Sequence, residues 1–275
     1  MDLALQAIVI GIVQGLTEFL PISSSGHLIV LPYLFRWNDP FIDSLEFSVM
    51  LHVGTLFALL VYFWRDWLRI VPAFFATIRD RSFRGDQDRR LAWLIAAATI
   101  PAAIVGYLLN DIIEREIRQV AVVALALVVG AGILWLADRW GAKTKSLDGL
   151  GFPGAIGIGV AQAIALIPGV SRSGISISAG LFLGLTRESA ARFSFLMSAP
   201  IIAGTGIYEA RKLIAGEAGV TVPLVPLVLG MLAAFLTGLA AIAILLRYLR
   251  DHGLTIFVAY RLVLAAVLVV ALLAR

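Results

Sequence analysis

The sequence predicts an all-α, polytopic membrane protein built as an inverted-topology repeat. Each copy is a re-entrant helical hairpin followed by three transmembrane helices. Composition is the first reason. The 275-residue chain is 60% hydrophobic with a mean hydropathy of +0.95, more apolar surface than a soluble domain can bury. The second is a set of long, weakly charged stretches, Phe47–Phe63, Leu91–Leu109, Gln119–Ala137, Ala191–Tyr208, Val222–Leu246 and Leu254–Ala274. Each is near the ~20 residues that a bilayer-spanning helix requires. The third is internal recurrence at a constant offset of 148: Ala7, Ile8, Ile10, Gly11, Gln14, Ser23, Ser25 and Gly26 return as Ala155, Ile156, Ile158, Gly159, Gln162, Ser171, Ser173 and Gly174.

The elements follow in order. Leu3–Phe19 is too short to span and stops at Pro21; Gly26–Phe35 after it is short and is cut by Pro32. In the second copy Phe152–Ile167 stops at Pro168, and Ser173–Leu185 follows. Half-length helices joined by a Pro/Gly/Ser turn read as hairpins that enter and leave on one face. Three spans follow each hairpin, and three is odd, so the second copy starts from the opposite side. The two turns are therefore expected to meet near the midplane. The whole is one membrane domain, 1–275, with repeat one over about 1–140 and repeat two over about 150–275. A loop at about 65–90 reads as an amphipathic surface segment.

Lys and Arg set the orientation. Arg65, Arg69, Arg79, Arg81, Arg84, Arg89, Arg90, Arg139, Lys143, Lys145, Arg187, Arg192, Arg247 and Arg250 fall on one side. Arg36, Arg115, Arg118, Arg211, Lys212 and Arg275 fall on the other. The richer side is expected in the cytoplasm, so the first hairpin opens outward. These short-loop positions account for the net charge of +4 and argue against nucleic-acid binding. The absence of cysteine excludes disulfides, a thiol nucleophile and Cys-based metal sites. Met1-Asp2 lacks the basic start of a cleavable signal peptide, so the first apolar stretch is expected to stay.

The chemistry sits in the turns. Gln14 and Glu18 are four apart and share a helix face. An unpaired carboxylate at membrane depth costs at least about 3 kcal/mol, so Glu18 must be paired, protonated or metal-bound. Arg172, at the position equivalent to Ser24, has the opposite need. Ser23, Ser24, Ser25 and Gly26 precede one half-helix, and Ser171, Ser173 and Gly174 flank Arg172 before the other. Hydroxyls and free N–H groups at helix starts bind anions, and an Arg among them suits phosphate or diphosphate. His27 adds a proton-transfer group or nucleophile. The combination suggests phosphoryl hydrolysis, with Ser24, His27 and metal-activated water as alternative nucleophiles. His52, between Leu51 and Val53, reads as a hydrogen-bonded packing histidine rather than a ligand, and Arg261, near a span end, as a residue that either snorkels or pairs inside.

Gln14-Gly-Leu-Thr-Glu18-Phe-Leu-Pro with Ser-Ser-Ser-Gly-His27, followed by Pro168-Gly-Val-Ser-Arg172-Ser-Gly-Ile-Ser176, resembles the bacterial undecaprenyl-diphosphate phosphatases of the bacitracin-resistance type. The resemblance covers almost the whole chain. It implies dephosphorylation of undecaprenyl diphosphate in the bacterial inner membrane, which recycles the lipid carrier for wall polymers. It implies catalytic roles for Glu18, Ser24, His27 and Arg172. Substrate contacts would come from Gln14, Ser23, Ser25, Gly26, Ser171, Ser173, Gly174 and Ser176. It also implies a divalent cation, Mg2+ or Ca2+, with Glu18 the candidate ligand. The family has Glu or Gln at the place of Gln14, more often Thr at that of Ser25, and Thr where Ser176 stands. With Gln at 14 this chain has one acid fewer for a metal. The rival reading is a transporter or flippase of an anionic lipid, which shares inverted repeats and broken helices. The expected partners are a polyprenyl diphosphate and membrane lipids; a homodimer is compatible with the sequence.

Overall fold

A computed structural model describes residues 2–82, 86–112, 119–217 and 219–274. Arg84, Arg115, Arg118 and Arg275 of the charge pattern lie outside the described residues. Eleven α-helices are present among the described residues: α1 (Leu3–Phe19), α2 (Ser24–Phe35), α3 (Leu45–Tyr62), α4 (Trp64–Asp80), α5 (Gln87–Ile112), α6 (Val120–Trp140), α7 (Phe152–Ile164), α8 (Arg172–Phe182), α9 (Arg187–Ala215), α10 (Leu224–Asp251) and α11 (Thr255–Leu273). Six of them, α3, α5, α6, α9, α10 and α11, are long and apolar enough to cross a membrane. The chain is a multi-pass, all-helical membrane protein.

The short helices end where backbone chemistry stops them. Leu20 is extended, as a residue before proline prefers, and α1 closes at Phe19. Helix α7 ends at Ile164, three residues before the expected end, and the chain turns through Gly169 at φ +97°. A side chain there would also meet Val123 O at 2.7 Å, so the turn requires glycine. Pro32, expected to cut α2, does not. The helix runs on to Phe35 because Val30, with Ile29 and Leu34, packs on Val123 and Leu127 of α6 and Leu268 of α11. That burial outweighs the roughly 3 kcal/mol helix penalty of proline. The 65–90 stretch is mostly helix rather than loop: α4 follows α3 after Phe63 alone, with Asp66, Ile70 and Thr77 buried on one face.

The two halves pack alike. Helix α1 lies against α10, and α7 lies against α5. Gly11 makes the first approach possible, since a Cβ there would stand 2.2 Å from Gly230 O; at Gly159 a Cβ would stand 2.2 Å from Ala98 O. Such approaches need small residues at helix crossings.

One end of the bundle is cross-linked by polar contacts. Arg192 Nη2 lies 2.6 Å from Asp66 Oδ1, Arg187 Nε 2.5 Å from Asp138 Oδ1, and Arg250 Nη2 3.0 Å from Glu188 Oε1. Arg90 donates to Leu150 O and Asp148 O, and Lys145 Nζ to Leu183 O at 3.0 Å, so α7 begins and α8 finishes at this end. Leu3, Leu31, Trp37, Val222 and Leu227 gather elsewhere in one apolar cluster, where α1 and α10 begin and α2 ends. The outer ends of α1 and α2 thus lie with the start of α10, and those of α7 and α8 lie at the charged end.

Candidate active site

Both turns use the same backbone device. Ser23 and Ser171 each sit at φ +74°, outside the comfortable range of an L-residue. Each caps the helix that follows: Ser23 Oγ accepts from Gly26 N at 3.3 Å, and Ser171 Oγ accepts from Gly174 N at 3.1 Å. The next serine hydroxyl lies alongside, Ser23 to Ser25 at 3.4 Å and Ser171 to Ser173 at 3.3 Å.

The turns touch. Ser173 Oγ donates to Leu20 O at 3.0 Å. Of the two readings of Arg261, pairing inside is the one realised: the residue is fully buried. Its guanidinium donates to Gly169 O and Val170 O at 2.9 Å each, to Leu127 O and Ala126 O at 3.3 and 3.4 Å, and to Pro21 O at 3.5 Å. Its acceptors among the described residues are all backbone carbonyls, the usual partners of a cation at membrane depth. Arg261 lies inward because it sits more than a turn inside α11, on the face packed against α6. Gly130 leaves its room, since a Cβ there would stand 2.0 Å from Nη2.

Glu18 is the centre. Its Oε2 accepts from Ser24 Oγ at 2.5 Å and from Gln14 Nε2 at 3.0 Å, and His52 Nε2 lies 3.3 Å away. On its other side Arg172 Nη2 stands 3.6 Å from Oε1. The Glu18 side chain is 4% exposed and that of Arg172 26%, so the acid is enclosed while the cation keeps an open edge. Among the described residues Arg172 Nη1 and Gln14 Oε1 are buried with no hydrogen-bond partner, which leaves a donor and an acceptor at the site.

His27 faces elsewhere. Its Nδ1 lies 2.7 Å from Ser23 O, so that nitrogen carries the proton; Nε2 lies 2.7 Å from the Tyr260 hydroxyl, and the two rings stack. Neither contact is with Ser24 or Glu18. Ser176 is buried, and its hydroxyl bonds Arg172 O at 2.6 Å and Ser194 Oγ at 2.6 Å. It fastens α8 to α9 in this arrangement rather than presenting a free donor.

The sequence reading missed two residues here. His52 is hydrogen-bonded through Nδ1 to Ser48 O at 2.7 Å, as a packing histidine would be, yet its other nitrogen meets Glu18. Tyr260 was the other. The signal for both is a polar group inside an otherwise apolar span, and for Tyr260 the neighbouring Arg261 adds to it.

Near the Glu18 carboxylate the Ser24 hydroxyl and the unpartnered Gln14 Oε1 are the other protein oxygens among the described residues, so a Mg2+ or Ca2+ ion, which takes about six oxygens, would need water or substrate oxygens to complete its shell here. Among the described residues no cluster of three or more His, Cys, Asp or Glu is placed to hold a metal.

Comparison with known proteins decides the family. The model of the bacitracin resistance protein BacA matches residues 7–267. The chain belongs to the BacA family. It is 47% identical over 272 residues to an undecaprenyl-diphosphatase of Thermomicrobium roseum, covering 96% of each chain. It is 45% identical over 269 residues to one of Desulforudis audaxviator, covering 98% of each. With one of Moorella thermoacetica the figure is 46% over 265 residues and 96% of each. In this BacA member, then, an enclosed carboxylate, a hydroxyl on it and a half-open arginine form the meeting point of two helix starts.

Proposed function

We propose that this BacA family member is an integral membrane phosphatase that hydrolyses undecaprenyl diphosphate to undecaprenyl phosphate and phosphate, recycling the lipid carrier. The observation that carries the reading is the Ser24 hydroxyl 2.5 Å from Glu18 Oε2, with Arg172 beside the other oxygen. An anion-binding site has no need of a carboxylate aimed at a serine; a phosphoryl-transfer site does. This favours the enzyme over the transporter.

In the proposed reaction Arg172 and the starts of α2 and α8 bind the diphosphate. Ser24 Oγ attacks the terminal phosphorus while its proton passes to Glu18 Oε2. The bond from that phosphorus to the bridging oxygen breaks, and undecaprenyl phosphate leaves. Water then attacks the phosphoserine while Glu18 returns its proton to Ser24 Oγ; the water's own proton leaves with the phosphate, and the Ser24 hydroxyl and Glu18 carboxylate are restored. Charge that builds on the phosphoryl oxygens is stabilised by Arg172 and the helix ends. Glu18, not His27, is the base in this scheme, because His27 faces Ser23 O and Tyr260. A divalent requirement is compatible with the site if the cation arrives on the diphosphate, whose oxygens would help complete its shell.

The proposal also places the charge-rich end in the cytoplasm and the first hairpin's mouth at the periplasmic face of the inner membrane. Both turns come from one chain, so a homodimer is not needed to complete the site.

Purified protein in detergent, given undecaprenyl diphosphate, is expected to release phosphate. Ser24→Ala and Arg172→Ala are expected to abolish the release. Full activity in Ser24→Ala would remove serine as the nucleophile. Tight binding with no release by wild type under any metal condition would favour the transporter.

A further inference from the structure

Glu18 has four neighbours, and they are not equivalent. Gln14 stands one turn back on the same helix and moves with it. Ser24 is the group on which Glu18 acts. Arg172 is partly exposed, contacts the far oxygen at 3.6 Å and has an unpartnered Nη1; it is the cation that a phosphate would draw away. His52 alone comes from a full-length span outside both turns.

The His52 ring is fixed from behind. Its Nδ1 lies 2.7 Å from Ser48 O, and a carbonyl only accepts, so Nδ1 bears a hydrogen. Its Nε2 faces Glu18 Oε2 at 3.3 Å, and with Nδ1 held by the carbonyl this contact is a charge-assisted hydrogen bond when the ring carries both protons beside the carboxylate. The side chains are 16% and 4% exposed, so water does little to weaken the contact. Helix α3 is held in place by Gly54, where a Cβ would stand 2.5 Å from Met231 O of α10.

We propose that His52 is a positioning residue for phosphoryl transfer: it holds Glu18 Oε2 against the Ser24 hydroxyl while Arg172 turns to the phosphate. His52 gives up no proton in the step; the Ser24 proton goes to Glu18, and the ring keeps the acceptor oxygen in line. The assignment rests on the reading of Ser24 and Glu18 given above.

The test compares wild type, His52→Leu, His52→Gln and Glu18→Gln, purified in detergent with undecaprenyl diphosphate, by kcat, KM and melting temperature. Losing a charge-assisted hydrogen bond that aligns the base lowers kcat in His52→Leu by about 30-fold, with KM changed less than about twofold. His52→Gln keeps an N–H that can reach Oε2 and is expected to recover kcat to within about fivefold of wild type. Equal melting temperatures for the two variants separate positioning from packing. A His52→Leu enzyme with wild-type kcat overturns the proposal, as does a His52→Gln enzyme impaired as deeply as His52→Leu. If His52→Leu does not fold, a folded His52→Gln with kcat down more than about 30-fold overturns it as well. High activity in Glu18→Gln would sink the site reading itself; inactive Glu18→Gln beside fully active His52→Leu would sink only the role of His52.

Discussion

The first and second turns have one backbone and two chemistries. Ser23 and Ser171 share φ +74°, and each hydroxyl caps the glycine three residues on. At the offset of 148, however, Glu18 corresponds to Leu166, Ser24 to Arg172 and His27 to Ile175. The first turn carries the acid, hydroxyl and imidazole, while the second carries the cation. Two turns of one shape need the same dihedral angles, caps and close helix crossings twice. A reaction centre needs each functional group only once, and a second carboxylate facing the first would repel it. The difference therefore marks what belongs to folding and what belongs to chemistry.

The sharpest break of that comparison is Glu18→Gln against its counterpart Leu166→Gln. Loss of a general base is expected to lower kcat by about 10³-fold in the first. The second is expected to leave kcat near wild type, and phosphate release measures both. Next is Arg172→Lys, which keeps charge but loses the planar fork for phosphate. It is expected to lower kcat/KM by about 10²-fold, and recovery to wild-type rates would show that the second turn supplies charge alone. Gly11→Ala and Gly159→Ala test the shared scaffold, since each puts a methyl 2.2 Å from a facing carbonyl oxygen. Both are expected to lose about 1–3 kcal/mol of stability, seen as lowered melting temperature in detergent. Loss in one half only would mean that the two crossings are not mechanically alike. The smallest effect is Tyr260→Phe, which touches the first turn alone. It removes the hydroxyl 2.7 Å from His27 Nε2 and is expected to change the rate by about fivefold without a change in melting temperature.

Much of this was legible in the chain, for local reasons. Pro21 and Pro168, with serines and glycine after them, stop and restart a helix wherever they occur, so the turns and the half-helices could be read directly. The pairing of Glu18 with Arg172 followed from the cost of leaving either alone in a membrane. Pro32 was misread because the packing of α2 on α6 and α11 is a tertiary term that outweighs a local penalty. The 65–90 stretch was read as a loop and as an amphipathic surface segment; most of it is the helix α4, which buries Asp66, Ile70 and Thr77 on one face.

What the sequence determined by itself is the class, the number of spans and the identity of both turns, because hydrophobicity, proline and glycine act within a few residues. What only the tertiary structure decided is direction. His52, Tyr260 and Arg261 are single polar groups in apolar helices, and periodicity does not say which neighbour each will face. That depends on how α3 and α11 rotate against α1, α6 and the turns. The same rotation turned His27 toward Tyr260, left Glu18 with Ser24, and aimed Arg261 at the carbonyls of both turns. A buried polar group must find a partner; the sequence states the need, and the packing of distant helices names the partner.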